Sequence, residues 1–282
     1  MSRRDQYKSP MRGTFWPSEA SAKFRNEYGE DEVVGKCLRA VYYRLTGVRE
    51  TNPPSGKSQV IFLLGKKIED TLVEMWKQAG IWDNNSVRFE DKDRNISGEF
   101  DCILRNPADN RKFIVEAKST WGYQQEKNLL GYHEGRGARK VWVPGRPKDE
   151  NLLQASIYCD QTRGVLDGTK LFYVMRDNCA MMEFNVTVDD NGTINVNGIP
   201  ERRFNMANIY GRYALLATML REERLPDKEF EHTYTDERVE ILNQRGELSK
   251  TAYEAHTSGK ELCGAWQCKY CQFMDHCLGD NV

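Results

Sequence analysis

The chain predicts an α/β fold, a mixed β-sheet core flanked by helices. Three observations predict it. Helical and strand-like periods alternate along the middle of the chain, as they do when a sheet is covered by helices. Two strand-like runs, Gly98 to Leu104 and Lys112 to Ala117, are joined by the turn Asn106-Pro107-Ala108-Asp109-Asn110, which reads as a hairpin. Of the 282 residues 39% are hydrophobic and 29% charged, a balance that allows one large core with an appended lobe.

The elements follow in order. Residues 1 to 32 carry Pro10, Gly13 and Pro17 as breakers and are expected to be loosely structured. Val33, Val34, Cys37, Leu38 and Val41 recur at helical spacing and predict a helix over 32–43. The stretch GVRETNPPSGK, residues 47 to 57, is a loop. A long helix is expected over 58–79, with Ile61, Leu64, Ile68, Leu72, Met75 and Trp76 as its apolar stripe and Gly80 as its stop. Strands are expected at 86–90, 98–104 and 112–117. Residues 121 to 150 contain GYHEGRGARKVWVPGRPK and read as a mobile basic loop. A helix at 150–162, strands at 170–175 and 181–186, and helices at 202–223 and 234–257 complete the chain. The expected division is an N-terminal helical segment (1–57), a core (58–200) and C-terminal helices with a cysteine-rich tail (201–282).

The formal net charge is −1, so the whole molecule carries no bias toward a polyanion. The charge is uneven, however. From Arg111 to Lys148 there are nine Lys/Arg against three Asp/Glu, which is either a solvated surface or a phosphate-binding face. No apolar run approaches the ~20 residues of a membrane span, and MSRRDQYKSPMRG at the N-terminus lacks the apolar core of a secretory signal. A soluble cytoplasmic protein is expected, without a membrane partner.

Asp101 and Glu116 lie on the two strands of the predicted hairpin. Side by side at one edge, the two carboxylates could share a hard divalent cation, Mg²⁺ or Mn²⁺, which takes oxygen ligands and keeps waters and substrate phosphates. Strand alternation sets Lys118 on the face of Glu116, with Ala117 opposite. Lys118 could then position or deprotonate an attacking water, or stabilise a phosphate transition state. Exposed strands often carry charges, so the acid–lysine pattern alone is weak. Two further features bear on it. Glu69 stands four residues after Gly65, one turn along the same helix, and is either a third acid or a surface partner of Lys66 and Lys67. In LLQASIYCDQ, Gln154 and Tyr158 lie one helical turn apart among apolar residues.

The order Gly-x-x-x-acid, Gly-x-x-Asp, Glu-Ala-Lys, Gln-x-x-x-Tyr resembles the RecB-like branch of the PD-(D/E)XK nuclease superfamily, and among its iron–sulfur members the AddB-type and CRISPR-associated adaptation nucleases. The resemblance spans Cys37 to Cys277. It implies a restriction-endonuclease-like mixed sheet, with the N- and C-terminal segments joined by a metal cluster. It implies catalytic Mg²⁺ or Mn²⁺ on Asp101 and Glu116, with the Ala117 carbonyl as a further ligand and Glu69 as a possible one. Lys118 would serve the nucleophilic water, and Gln154 and Tyr158 would position DNA and active site. Two positions depart from the pattern: Phe100 stands where the superfamily name has proline, and Glu69 where many RecB-like members have histidine.

Eight cysteines are present, four of them in the tail CGAWQCKYCQFMDHC. Clustered cysteines in an intracellular chain suggest metal before disulfide. Two readings compete: a tetrahedral zinc site on Cys263, Cys268, Cys271 and Cys277, and a [4Fe–4S] cluster on Cys37, Cys268, Cys271 and Cys277. The resemblance favours the second, one cysteine before the nuclease core and three after it. Such a cluster would act as a structural staple, since it closes a long loop. Cys102, Cys159 and Cys179 read as small buried hydrophobes.

For nucleic acid, the candidates are Lys127, Arg136, Arg139, Lys140 and Arg146 in the basic segment, with Tyr123, Tyr132 and Trp142 for base stacking. Arg39 and Arg44 near the first cluster cysteine could line a DNA path. The expected activity is a metal-dependent deoxyribonuclease, an exonuclease on single-stranded DNA ends by resemblance, with endonucleolytic processing next. The alternative is a catalytically silent nucleic-acid-binding or scaffold subunit. Phage replication (in a host cytoplasm), recombination repair and CRISPR adaptation would all suit it. So would a helicase, recombination or integration partner, although no residue points to one.

Overall fold

The computed structural model describes residues 13–135 and 140–279. It is a mixed α/β structure whose central, mostly antiparallel sheet is flanked by helices. The chain divides into two units: residues up to 36 with 56–218, and residues 37–55 with 219 onward.

In the first unit the chain opens with a hairpin of β1 (Ser21–Arg25) and β2 (Asp31–Gly35), paired antiparallel. This replaces the helix expected from residue 32. The Asn26 side chain accepts from the main-chain N–H of Tyr28 and Glu30 at 3.0 and 2.9 Å, which stabilises the turn. Val33 and Val34 are β-branched and suit a strand. The helix starts later, as α1 (Leu38–Leu45).

The large sheet has seven strands. In sequence order they are β3 (Trp82–Asp91), β4 (Ile96–Arg105), β5 (Lys112–Thr120), β8 (Thr169–Met175), β9 (Met181–Val188), β10 (Ile194–Val196) and β11 (Ile199–Pro200). The spatial order is β11-β10-β9-β8-β5-β4-β3. Among the named strands of the described residues, β5 and β8 alone pair in parallel. A parallel pair needs a crossover, and the crossover here is residues 121–168. It is not a bare loop. It contains α3 (Tyr123–Leu130), the small hairpin β6 (Gly131–Glu134) with β7 (Val141–Pro144), and α4 (Asp149–Gln161). Gly145 is required there, because a Cβ would stand 1.9 Å from the Leu129 carbonyl oxygen.

Helices cover both faces of the sheet. On one, α2 (Gly56–Gln78) lays Leu72, Val73 and Trp76 against Cys102, Val115 and Val174. Of the expected stripe, Ile68, Leu72 and Trp76 make this contact, while Leu64 and Met75 are about half exposed; the contact line extends through Gly65, over Ser119. On the other face lies α4. Every residue from Leu152 to Cys159 is buried, because α4 sits between the large sheet and the β1–β2 hairpin. Its buried polar groups are satisfied: Gln154 bonds Glu116 and Tyr158, and Ser156 Oγ donates to the Leu152 carbonyl at 2.7 Å. Its first turn is held by Arg203, whose guanidinium forks onto Asp149 at 2.8 and 2.6 Å. The unit ends with α5 (Met206–Arg221), where Tyr213 stacks on buried Phe15 at 5.1 Å.

The second unit is built from α1 and its following loop together with the C-terminal elements α6 (Asp236–Gln244), α7 (Lys250–Thr257), α8 (Trp266–Lys269) and α9 (Met274–Gly279). The single helix expected over 234–257 is two. Ser249 caps the second by accepting from Ala252 N–H, and Gly246 at φ +71° breaks the first. Backbone bonds from Thr51 and Asn52 to the Gln272 carbonyl, at 2.9 and 3.0 Å, tie the early loop to the tail. No helix among the described residues is long and apolar enough to cross a membrane.

The α4–hairpin contact sets one stability expectation. Leu153 is fully buried, so Leu153→Ala should cost about 2–5 kcal/mol. Gly35 has φ +86°, and a Cβ there would lie 2.2 Å from the Ala20 carbonyl oxygen and 2.7 Å from Leu153 Cδ1. Gly35→Ala should therefore cost at least the ~1–3 kcal/mol of a strained backbone position. Urea unfolding of both variants checks this, and wild-type midpoints would contradict the packing.

Candidate active site

The site forms where β4 and β5 part. Their ladder runs from Arg105↔Lys112 to Cys102↔Val115. Beyond it, Asp101 no longer pairs through its main chain. Its carboxylate Oδ2 instead accepts the Ala117 N–H at 2.9 Å. Along β5, Ile114 N–H donates toward β8, to the Gly168 carbonyl, and the Thr120 carbonyl accepts from Arg176 N–H beside β8. Even-numbered residues thus bond toward β8 and odd-numbered ones face β4. A strand residue sends its N–H and C=O out on one edge, so the Ala117 carbonyl leaves on the Asp101 side.

Glu116 is the most buried acid here, 3% exposed. Its two oxygens differ. Oε1 accepts from Lys118 Nζ at 2.6 Å and from Gln154 Nε2 at 2.8 Å. Oε2 is buried and has no partner. Gln154, from α4, also takes Lys118 Nζ on its Oε1 at 3.2 Å and donates to Tyr158 Oη at 2.9 Å. Tyr158 in turn donates to the Glu99 carbonyl at 3.1 Å and packs with Phe100, Ile103 and Ile114. The structure therefore brings Asp101, Glu116, Ala117, Lys118, Gln154 and Tyr158 together.

The electrostatics follow from burial. The Asp101 carboxyl is pushed well above the usual carboxylate range, first by burial, then by the charges of Glu116 and Glu69. Burial pulls Lys118 down, but Glu116, Asp101 and Glu69 more than offset it, and the ammonium is held above the usual lysine range. Burial also lifts the Tyr158 hydroxyl far above its ordinary value, with Glu116 adding to it. The phenol stays protonated and acts as a donor.

Glu69 takes a different place. Its Oε1 pairs with Lys66 at 2.5 Å. Its charge acts on Asp101 and Lys118, yet among the described residues no three His, Cys, Asp or Glu side chains stand at metal-holding spacing. The two carboxylates of Asp101 and Glu116 and the Ala117 carbonyl edge lie at the same place. An unpartnered buried carboxylate oxygen is costly, and a hard cation is the partner that suits it. The donors fit Mg²⁺ or Mn²⁺.

In the second unit, Cys37, Cys271 and Cys277 pack about Ala40, Tyr43 and Phe273. The Cys268 thiol is pushed up to about 11 by burial, then by Cys37, Cys271, Cys277 and Cys263. The thiols named for either metal reading are therefore neighbours, but no three stand at ligating spacing. Arg39, expected on a DNA path, is 9% exposed. Its Nε donates to the Pro226 carbonyl at 2.7 Å, and a guanidinium nitrogen lies 4.0 Å from Cys277 Sγ. Burial beside the thiols removes it from a solvent path. Arg44 is half-buried in the same unit. Cys102 and Cys159 are buried as expected, while Cys179 is exposed.

Of the basic segment, Lys127 lies 3.7 Å over the Tyr132 ring, Lys140 is exposed, and Arg146 pairs with Glu201 at 2.9 Å. Tyr123 and Trp142 are exposed. Arg136 and Arg139 lie outside the described residues. A cleft of about 330 Å³ opens between α3, β7 and the start of α4, lined by Asn128, Tyr132, Arg146 and Lys148 among others. Sequence reasoning missed Lys148 and Arg176. Their signal was faint: single cations at the ends of predicted elements.

No family model matches the chain, and no curated protein matches it. Nine solved chains match. One is the crystal structure of SSO0001, 15% identical, covering 86% of this chain and 82% of that one, with a TM-score of 0.40. A likeness of that size leaves the chemistry of the site to rest on the residues themselves.

The crowded acids should weaken the metal-free fold. A carboxyl whose folded pKa is raised costs stability above that pKa, and the cost fades as pH falls toward the ordinary carboxyl range. In chelator at neutral pH, Asp101→Asn should be more stable than wild type by about 0.5–2 kcal/mol. The gap should close on acidification. Thermal melts across pH check this; a less stable variant at neutral pH would contradict the crowding.

Proposed function

We propose that the chain is a metal-dependent nuclease of RecB-like, PD-(D/E)XK type that hydrolyses phosphodiester bonds of DNA. The observation that carries the reading is the buried, unpartnered Oε2 of Glu116, beside a carboxylate whose own pKa is driven up and a lysine held protonated. Asp101, Glu116 and the Ala117 carbonyl would hold Mg²⁺ or Mn²⁺. When bound, the ion supplies Lewis acidity toward a phosphate oxygen and acidifies water.

The chain's own residues do the rest. Lys118, fixed between Glu116 Oε1 and Gln154 Oε1, presents a positive charge on the same strand face as Glu116. A protonated ammonium donates, so Lys118 would orient water and stabilise charge growing on the phosphate. Gln154 fixes both Glu116 and Lys118 from α4, and Tyr158 anchors Gln154. Single-stranded ends are the preferred substrate in this reading, supported by exposed Tyr123 and Trp142 as stacking surfaces. The silent scaffold reading has less support, because a binding subunit has no use for a crowded, unpartnered buried acid.

Cys37, Cys268, Cys271 and Cys277 would hold a [4Fe–4S] cluster, with zinc on Cys263, Cys268, Cys271 and Cys277 as the competing assignment. Cys37, Cys271 and Cys277 pack about the same residues, and thiols brought together in this way suit a thiolate-ligated metal. The backbone ties between the early loop and the tail give the cluster a folded unit to staple.

End-labelled single- and double-stranded DNA, incubated anaerobically with Mg²⁺ or Mn²⁺, tests the reading. Wild type should produce a ladder. Asp101→Asn, Glu116→Gln and Lys118→Met should each lose on the order of 10²–10⁴-fold in rate while melting as folded proteins. The same preparation should contain iron and absorb near 400 nm; zinc in its place selects the other assignment. A folded, metal-loaded wild type that binds DNA and leaves it intact would establish the scaffold instead.

A further inference from the structure

The cations near the site are mostly neutralised. Lys118 pairs with Glu116, Arg146 with Glu201, and Arg203 with Asp149 and Glu201. Lys148 and Arg176 break this pattern. Among the described residues neither makes an ion pair, and both are instead tied to Thr120. Lys148 Nζ donates to Thr120 Oγ1 at 3.2 Å. Arg176 donates to the Thr120 carbonyl from its main-chain N–H at 2.8 Å and from Nε at 3.4 Å. Two like charges are thus held against one buried threonine. Burial depresses the Lys148 ammonium; the charge of Glu150 opposes this, and the weaker repulsion of Arg176 adds to the depression.

Thr120 is the last residue of β5. It lies two residues beyond Lys118, on the same strand face and about 6.6 Å further along, the order of one phosphate-to-phosphate step in a nucleic-acid strand. The next residue, Trp121, is 62% exposed. Unpaired cations beside an exposed aromatic side chain are the elements of a single-strand track.

We propose that Lys148 and Arg176 form a phosphate subsite, one nucleotide step along β5 from Lys118, that holds the backbone of single-stranded DNA while a base stacks on Trp121. The inference rests on the nuclease reading for its substrate, and its chemistry is anion binding by two positioning residues.

Fluorescence anisotropy of a labelled oligothymidylate with the full-length protein in chelator, across a salt series, tests it. Lys148→Met and Arg176→Met should each weaken binding several-fold and lower the slope of log affinity against log salt by about 0.7, the share of one phosphate contact on a single strand. Lys148→Arg should restore the slope, and Trp121→Ala should weaken binding about 5-fold or more. Lys250→Met, in the second unit, should change neither. Unchanged slopes in both methionine variants would overturn the subsite, as would a loss that Lys148→Arg fails to restore, or a loss seen with an RNA oligonucleotide alone. The two readings fail separately. A protein that cuts no DNA yet shows the slope change keeps the subsite and loses the nuclease, and one that cuts DNA with unchanged slopes keeps only the nuclease.

Discussion

The site depends on how one buried carboxylate is shared. Glu116 sits on a strand interior, where an ionised acid is costly unless both oxygens are satisfied. Lys118 and Gln154 satisfy one oxygen and nothing satisfies the other. The surroundings hold that arrangement in place. α4 supplies Gln154 and Tyr158 because it is buried on all sides, and it stays put because the β1–β2 hairpin covers it and Arg203 pins its first turn. On the opposite face, α2 comes close over Ser119 at Gly65, which brings the Glu69 charge near enough to act on Asp101. The sheet opens between β4 and β5 just where the acids lie, so that Asp101 bonds the Ala117 N–H by its side chain. Stability is given up at this point, as functional sites commonly require.

Much of this was legible in the residues. The hairpin of Asp101 and Glu116, the single-face placement of Glu116 and Lys118, and the one-turn spacing of Gln154 and Tyr158 follow from periods of 2 and 3.6, and the side chains meet as those periods demand. What periodicity could not give was the partition of Glu116's oxygens, which depends on α4 packing across the sheet. Glu69 shows the limit from the other side. Its spacing from Gly65 places it on the right helix face, but a lysine one turn earlier takes its carboxylate.

The misread segments have local causes. Residues 33–41 fit a helical period, yet Val33 and Val34 prefer a strand, and the Asn26 turn gives them a partner. The break at Gly246 and the cap at Ser249 are a glycine followed by an N-cap residue, the local signals that split the helix expected over 234–257. Residues 121–150 are rich in glycine and charge, which suggested a loop. Two of their glycines instead serve close packing, Gly145 over Leu129 and Gly131 against Val143. Arg39 was taken for a surface cation on its charge, but burial beside Cys277 gives it a neighbour in the cysteine unit instead.

The central claim is that the unpartnered oxygen of Glu116, with Asp101, receives a divalent cation. Titration of metal-free protein with Mn²⁺, followed by the electron paramagnetic resonance of the free ion, addresses it without any assay of cleavage. The account predicts saturable Mn²⁺ uptake by wild type that Mg²⁺ displaces and that Glu116→Gln abolishes, with the variant still folded. Absence of uptake by wild type, or equal uptake by Glu116→Gln, would contradict it.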